Sequence, residues 1–138
     1  MRKIAKTILA TLLTLIMCVS AIPAFSINAL AAEPRLSHVS YVNCMFVANE
    51  SGGQLEVRYS GYESFEKIDV NVKLQKKFLL VFWTNVDEWS TSSTNPGGIL
   101  SHVFALNGKG TYKATFTVTV TGVDGTVDTF TEEIESKY

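Results

Sequence analysis

The stretch KIDVNVKLQKK, residues 67–77, decides the fold of this chain, and TYKATFTVTVT at residues 111–121 repeats its pattern. In both stretches apolar and polar side chains alternate one by one, which places them on opposite faces of an extended strand. Such alternation is typical of antiparallel sheets with one face on a core and the other in water. Helical spacing appears nowhere at length in residues 32–138. The two stretches therefore predict an all-β domain.

Five further segments show strand patterns and are bounded by turn residues. The turn signals include Asn-Gly-Lys-Gly at residues 107–110 and Asp-Gly at residues 124–125. The longer connection at residues 90–98 leaves room for a strand to cross between sheets, as a Greek key requires. Seven strands at this spacing predict an antiparallel β-sandwich, and a small closed antiparallel barrel is the alternative. The predicted strands are residues 37–48, 54–60, 67–77, 78–89, 99–106, 111–121 and 126–135.

Residues 1–31 have the three parts of a signal peptide for export. Positions 1–6 carry three basic residues and no acid, residues 7–17 are apolar, and Ala29-Leu30-Ala31 is a small-x-small cleavage site. We therefore expect a secreted or cell-envelope domain of residues 32–138, released by cleavage after Ala31.

Three other interpretations of this segment are open. An uncleaved membrane anchor is the first, because residues 7–32 carry no charge and about 20 apolar residues span a bilayer. Pro23 and polar residues interrupt the stretch, however, and no basic cluster follows it. A lipoprotein acylated at Cys18 is the second, although Met17 is larger than the residue such processing prefers. The third is that the segment folds with the domain. We expect export, and no integral membrane span in the mature chain.

Charge and cysteine content narrow the class of protein. Residues 32–138 hold nine basic and thirteen acidic residues, which leaves a net charge of −4. Such a domain lacks the concentrated Lys and Arg that a phosphate backbone requires, so no nucleic acid partner is expected. Cys44 is the one cysteine of residues 32–138 and has no intramolecular disulfide partner. Its apolar neighbours predict a buried thiol in a domain that is stabilised by burial of its aromatic side chains.

Gly110-Thr111-Tyr112 resembles the tyrosine corner of immunoglobulin-like domains. In those domains a tyrosine near the start of strand F ties its hydroxyl back to the preceding connection. Ala114 stands where a disulfide-bonded immunoglobulin domain carries its second cysteine, so the chain departs from that pattern. The resemblance implies an immunoglobulin-like sandwich and no antibody-like role.

The chain also resembles small exported proteins of Gram-positive bacteria, most of them uncharacterised. The shared pattern is an early strand with Cys44, a strand ending in Leu-Gln-Lys-Lys at residues 74–77, and a strand with Trp83 and Trp89. Lys-Gly-Thr-Tyr at residues 109–112 then leads into the alternating Thr/Val strand. The likeness covers most of the chain from Ser37 onward. It implies an extracellular β-sandwich and contributes no catalytic residue.

Residues 78–83, FLLVFW, are apolar on both faces of the predicted strand 78–89. Because a two-layer sandwich covers one face of each strand, the other face requires a loop, a second copy or a ligand. Trp89 shares the parity of Trp83, so an unbroken strand places both on one face about 20 Å apart, as in modules that stack sugars. The candidate contact residues are therefore Phe78, Trp83 and Trp89. The alternative is that Trp83 belongs to the core and Trp89 caps its edge.

No pattern in the sequence predicts a catalytic residue, a metal ligand or a cofactor site. His38 and His102 lack metal-binding spacing, so each is expected to be solvated or locally hydrogen-bonded. A Gly-x-Ser-x-Gly nucleophile motif is absent, and the adjacent acids at residues 87–88 and 132–133 point to opposite faces, which is unsuitable for glycoside hydrolysis. The sequence favours a non-catalytic binding or adhesion module with an envelope glycan or protein partner. Self-association through the strand 78–89 is one alternative, and a small hydrolase or peptide inhibitor is another.

Overall fold

A computed structural model describes residues 36–138 of the chain. The predicted signal peptide, its cleavage site and Cys18 lie outside the described residues. Residues 36–138 form β-strands and turns, and they include no helix that is long and apolar enough to cross a membrane. The seven strands are β1 (Val39–Asn49), β2 (Gly52–Gly61), β3 (Phe65–Phe78), β4 (Phe82–Ser93), β5 (Gly97–Phe104), β6 (Thr111–Gly122) and β7 (Val127–Lys137).

The strands form two antiparallel sheets, ordered β1-β2-β5 and β4-β3-β6-β7. Two open sheets packed over one core make the predicted β-sandwich. The strand order in each sheet defines its topology. Constant-type immunoglobulin domains pair their first, second, fifth and fourth strands in one sheet. Here the fourth strand has moved to the other sheet, where it pairs with β3. The predicted immunoglobulin-like fold is confirmed with this change of strand order.

The core lies between β3 and β6 of the larger sheet and the inner face of the smaller sheet. Opposed residues on β3 and β6 are both buried, as in the pairs Val72↔Phe116 and Leu74↔Ala114. Burying each large apolar side chain contributes about 1.5–3 kcal/mol, which lets alternation alone specify the inner face. The buried aromatic residues are Phe46, Tyr59, Phe65, Phe104, Tyr112 and Phe116.

Tyr112 makes the tyrosine corner that the sequence predicts. Its fully buried side chain donates a hydrogen bond of 2.6 Å from the hydroxyl to the carbonyl oxygen of Gly108. Gly108 has a φ of 70°, which a glycine adopts without steric cost. The hydrogen bond connects the β5–β6 connection to the start of β6.

The strand predicted over residues 78–89 is wrong in its first four positions. β3 extends to Phe78, the chain reverses over residues 79–81, and β4 begins at Phe82. Leu79 and Leu80 have φ of 48° and 67°, the left-handed conformation that a type I′ turn requires. Asn and Gly are the usual residues there, so two leucines at these positions give no turn signal in the sequence.

A β-bulge in β4 changes which face each tryptophan occupies. Leu74 pairs with Asp87 and Gln75 pairs with Asn85, so Val86 is an extra residue in the ladder. An extra residue inverts the alternation of side chains beyond it. Trp83 and Trp89 therefore lie on opposite faces of the sheet, and the predicted shared face is wrong because the strand is not unbroken.

The connection predicted at residues 90–98 is shorter than expected. β4 continues to Ser93 and β5 begins at Gly97, so residues 94–96 alone carry the chain from one sheet to the other. This end of the sandwich also carries the β2–β3 and β6–β7 connections, and backbone hydrogen bonds tie the three together, from Gly61 to Pro96 and from Val123 to Ser64. The β3–β4 turn lies at the opposite end.

Candidate functional site

Five consecutive apolar residues, Phe78–Phe82, form an exposed end of the β3–β4 hairpin, here called the apolar tip. Their exposed fractions run from 55% at Phe78 to 87% at Leu80. Single exposed apolar side chains are ordinary on protein surfaces, but a contiguous apolar patch marks an interaction surface. The apolar tip is the feature of the described chain that most requires a partner.

The apolar tip extends past the last residue pair that joins β3 to β6. β3 pairs with β6 only as far as Lys76, which lies opposite Tyr112. Lys77 and Phe78 pair with β4 alone. Two residues of strand correspond to about 7 Å, to which the turn adds its own height. The tip is therefore a finger that other strands do not cover.

Trp83 lies at the base of the finger between two lysines. The Nζ atoms of Lys77 and Lys113 are 5.3 and 4.8 Å from the centre of the Trp83 ring. Both distances fall in the range of a cation–π contact. Lys113 also forms an ion pair of 3.1 Å with Glu133 on β7. The indole is thus half-buried on the outer face of the sheet, where it contacts the ammonium groups of Lys77 and Lys113.

Two further lysines complete a basic ring below the apolar tip. Lys76 donates a hydrogen bond to the carbonyl of Asn107, which brings the β5–β6 connection and its exposed Lys109 to the base of the hairpin. The Nζ of Lys76 is also 5.3 Å from the centre of the Tyr112 ring. Residues 70–86 contain three lysines and no acid. Lys76, Lys77, Lys109 and Lys113 together form what we call the lysine collar.

Of the three residues that the sequence singles out for contact, the structure brings two together. Phe78 belongs to the apolar tip and Trp83 to its base, whereas Trp89 packs against the core and stacks on His102. A flat two-tryptophan platform for a sugar is therefore not formed. The sequence pattern predicted a strand at Leu79, Leu80 and Val81, but these residues form the turn. What set them apart in the sequence was an apolar run that would occupy both faces of a strand.

His38 joins three segments at the end of the sandwich opposite the tip. Its Nδ1 is 3.0 Å from the Ser64 hydroxyl and its Nε2 is 2.6 Å from the Thr126 hydroxyl. The Asp124 carboxylate lies 3.9 Å from Nε2, and hydrogen bonds from Thr126 lower the pKa of Asp124. The ring is buried against Gly122, where a Cβ atom would collide with it. Since the imidazole is covered, this Ser-His-Asp grouping is a structural connection.

Cys44 is buried on the inner face of β1. Burial raises the pKa of its thiol to about 12, and the charge of Glu132 and a hydrogen bond to it act in the same direction. A thiol acts as a nucleophile through its thiolate form. Cys44 is therefore an inert core residue, as its apolar neighbours in the sequence predicted.

A second surface feature is an open cleft of about 840 Å³ where β1 meets β7. Tyr41 and Tyr62, each about half exposed, line it together with Phe130. Glu132 adds a carboxylate to the same wall. Aromatic faces beside hydrogen-bonding groups suit a sugar ring. Within residues 36–138, no three His, Cys, Asp or Glu side chains converge in a way that suits a metal ion.

Comparison with known proteins identifies no family for this chain. No protein-family model matches the sequence, and no curated protein matches it. A solved structure, that of a family 76 glycoside hydrolase from a bovine Bacteroides thetaiotaomicron strain, is similar over 74% of this chain at 11% identity with a TM-score of 0.39. The chain spans about one fifth of that protein, which is 20% covered. A likeness this distant carries no argument about function.

Proposed function

We propose that the protein is an exported, non-catalytic binding module of the Gram-positive envelope or its surroundings, and that it makes contact through the apolar tip. One observation carries the proposal: five successive apolar side chains are exposed on a projecting hairpin. Removing apolar surface from water is favourable by roughly 25 cal/mol per Å², so this segment gains free energy when it is covered.

The conformation of the turn supports the same conclusion. Leu79 and Leu80 both have positive φ, a conformation that costs a residue with a Cβ atom about 1–2 kcal/mol. Asn-Gly would connect the two strands without that cost. Where a chain departs from its local preferences, a functional requirement is the usual reason. We infer that the leucines serve contact with a partner.

The test compares tip variants with a matched surface variant. The full chain is expressed in an exporting bacterial host, and the form that accumulates is bound to whole Gram-positive envelopes. Leu79→Ser with Leu80→Ser should weaken binding at least about tenfold, because two apolar anchors are lost. Ile99→Ser with Val103→Ser removes similarly exposed apolar groups from β5 and should change binding little. Equal binding by both variants would contradict the proposal.

A second candidate contact is the cleft between β1 and β7, which favours a glycan. Tyr41 and Tyr62 supply exposed rings there, and Glu132 supplies a hydrogen-bond acceptor. If peptidoglycan or teichoic acid is the ligand, Tyr41→Ala with Tyr62→Ala should abolish capture on those polymers, whereas the tip variant should retain it. The opposite result would eliminate the cleft.

Self-association is the competing use of the apolar tip. Light scattering of the purified protein over a range of concentrations separates the two uses. A monomer at all concentrations supports binding to another molecule, and a dimer lost in the tip variant supports assembly.

A further inference from the structure

We infer that the apolar tip inserts into the surface of a lipid bilayer that carries anionic headgroups. This inference rests on the proposed function, in which the tip is the contact surface, and it names the partner. Along the β3–β4 hairpin the apolar tip comes first, Trp83 with Lys77 and Lys113 follows, and the two-sheet body of the sandwich lies beyond them. A membrane surface presents three layers in the same order: hydrocarbon, interface and water.

The middle layer has the composition of a membrane interface. Tryptophan concentrates at the headgroup level because its ring is apolar at one end and polar at the other. Lysine extends its apolar stem along the hydrocarbon boundary and keeps its charge among the headgroups. Trp83 lies 5.3 Å from the Lys77 Nζ and 4.8 Å from the Lys113 Nζ, which places both groups at one depth.

The length of the finger fits shallow insertion. The apolar tip extends about 7 Å past the last β3–β6 pair. Interfacial segments enter a bilayer by roughly 5–10 Å. Backbone groups in hydrocarbon require hydrogen-bond partners, and the Phe78↔Phe82 pairing of β3 with β4 supplies them for these two residues at the base of the turn. The tip is therefore suited to entering one leaflet and too short to cross it.

The distribution of charge favours an anionic surface and sets an orientation. The tip end carries the lysine collar and Lys137, against Glu50 in the β1–β2 turn and Glu133 and Glu135 near the end of β7, of which Glu133 is paired with Lys113. The opposite end carries Glu63, Asp124 and Asp128 in or beside its turns. Each lysine near an anionic leaflet is attracted, and acids are repelled, so the domain stands on the membrane with its tip downward.

A second copy of this chain is a poorer partner for the same surface. Two tips packed symmetrically against each other would bring the two lysine collars together. Like charges at close range oppose association. An anionic bilayer instead neutralises the collar while it covers the apolar tip.

The experiment measures binding of the purified protein to phosphatidylcholine vesicles with and without phosphatidylglycerol, in parallel with binding to purified sacculi and light scattering. The intact mass is determined first, because a retained apolar leader would itself bind lipid. We expect binding that requires phosphatidylglycerol and weakens with salt. Brominated acyl chains should quench the fluorescence of Trp83.

Two tip variants separate lipid contact from folding. Leu79→Ser with Leu80→Ser and Leu79→Asn with Leu80→Gly should each weaken vesicle binding at least about tenfold. The second variant retains a favourable turn, so loss of binding there is not loss of the fold. Ile99→Ser with Val103→Ser should bind as the unaltered protein does.

A charge-matched pair tests the lysine collar. Lys77→Gln with Lys109→Gln should weaken binding to phosphatidylglycerol vesicles several-fold and reduce its dependence on salt. Lys67→Gln with Lys73→Gln removes the same charge farther from the tip and should have the smaller effect. Equal effects would overturn the role of the collar.

The outcomes distinguish this inference from the proposed function. Tip-dependent capture on sacculi without vesicle binding would overturn the lipid inference and leave the binding function in place. A dimer that is lost in the tip variants and does not bind vesicles would overturn both the lipid inference and the proposed binding function, and would support self-association. Vesicle binding that is unchanged in both tip variants would overturn the inference, and absence of any binding to vesicles, sacculi and whole envelopes would overturn the proposed function as well.

Discussion

The indole of Trp89 stacks on the imidazole of His102, with ring centroids 5.1 Å apart and planes inclined by 9°. Trp89 belongs to β4 and His102 to β5, which are edge strands of different sheets. His102 in turn meets the edge of Phe104, a buried core residue. The pair closes one side of the sandwich, and the bulge at Val86 is what turns Trp89 inward to reach it.

Trp89→Ala and Trp83→Ala should therefore have unequal effects on folding. Loss of Trp89 removes a stack and a partly buried core side chain, for which a decrease of about 2–4 kcal/mol in the free energy of unfolding is expected. Loss of Trp83 from the outer face should cost about 1 kcal/mol or less. Urea denaturation of the two variants measures the difference. Equal losses would mean that the bulge does not set the facing of Trp89.

Tyr112→Phe should lower the free energy of unfolding by about 0.5–1.5 kcal/mol, because the hydrogen bond from the buried Tyr112 hydroxyl to the carbonyl of Gly108 is lost. Tyr62→Phe is the matched control, since that side chain is about half exposed. Thermal unfolding of both variants is the measurement. If Tyr112→Phe unfolds at the same temperature as the unaltered protein, the Tyr112 hydroxyl does not stabilise the β5–β6 connection.

Leu79→Asn with Leu80→Gly should raise the free energy of unfolding by about 1 kcal/mol, because it relieves two left-handed leucines. The change leaves the core untouched, since both side chains are exposed. Urea denaturation tests it, with Leu79→Ala and Leu80→Ala as the control that shortens the side chains without relieving the backbone. A variant less stable than this control would contradict the left-handed assignment.

Cys44 should resist alkylation in the folded protein. With a pKa of about 12 in place of 9.0, its thiolate population at neutral or mildly alkaline pH is about a thousandfold smaller. Iodoacetamide should modify the native protein far more slowly than the urea-unfolded protein, as mass spectrometry can follow. Rapid native labelling would show that the β1–β7 side of the sandwich opens.

The same raised pKa makes stability depend on pH in a defined direction. The fold prefers the neutral thiol, so this contribution is fully present below about pH 9 and is lost as the pH rises from 9.0 toward about 12. Cys44→Ala should flatten that part of the stability profile. An identical slope in both proteins would contradict a role for Cys44.

Local alternation was sufficient to predict most of the fold. Ile68, Val70, Val72 and Leu74 of β3 and the alternating run of β6 could be assigned to faces because the period of a strand is two wherever the strand is regular. The corner at Tyr112 was predictable because its hydrogen bond closes within four residues of sequence. The buried state of Cys44 followed from its apolar neighbours in the same way.

Sequence alone thus determined that residues 36–138 form seven strands, which residues of the regular strands face inward, and that an apolar run near Phe78 lacks a covering layer. Tertiary structure decided that this run contains a turn, and that the bulge at Val86 places Trp83 and Trp89 on opposite faces of the sheet. The reason is physical: β4 must keep its inner residues on the core through pairing with β3, and a single extra residue inverts every side chain beyond it. Neither a turn of apolar residues nor a bulge has a local sequence pattern of its own, so each forms only through pairing with the neighbouring strand.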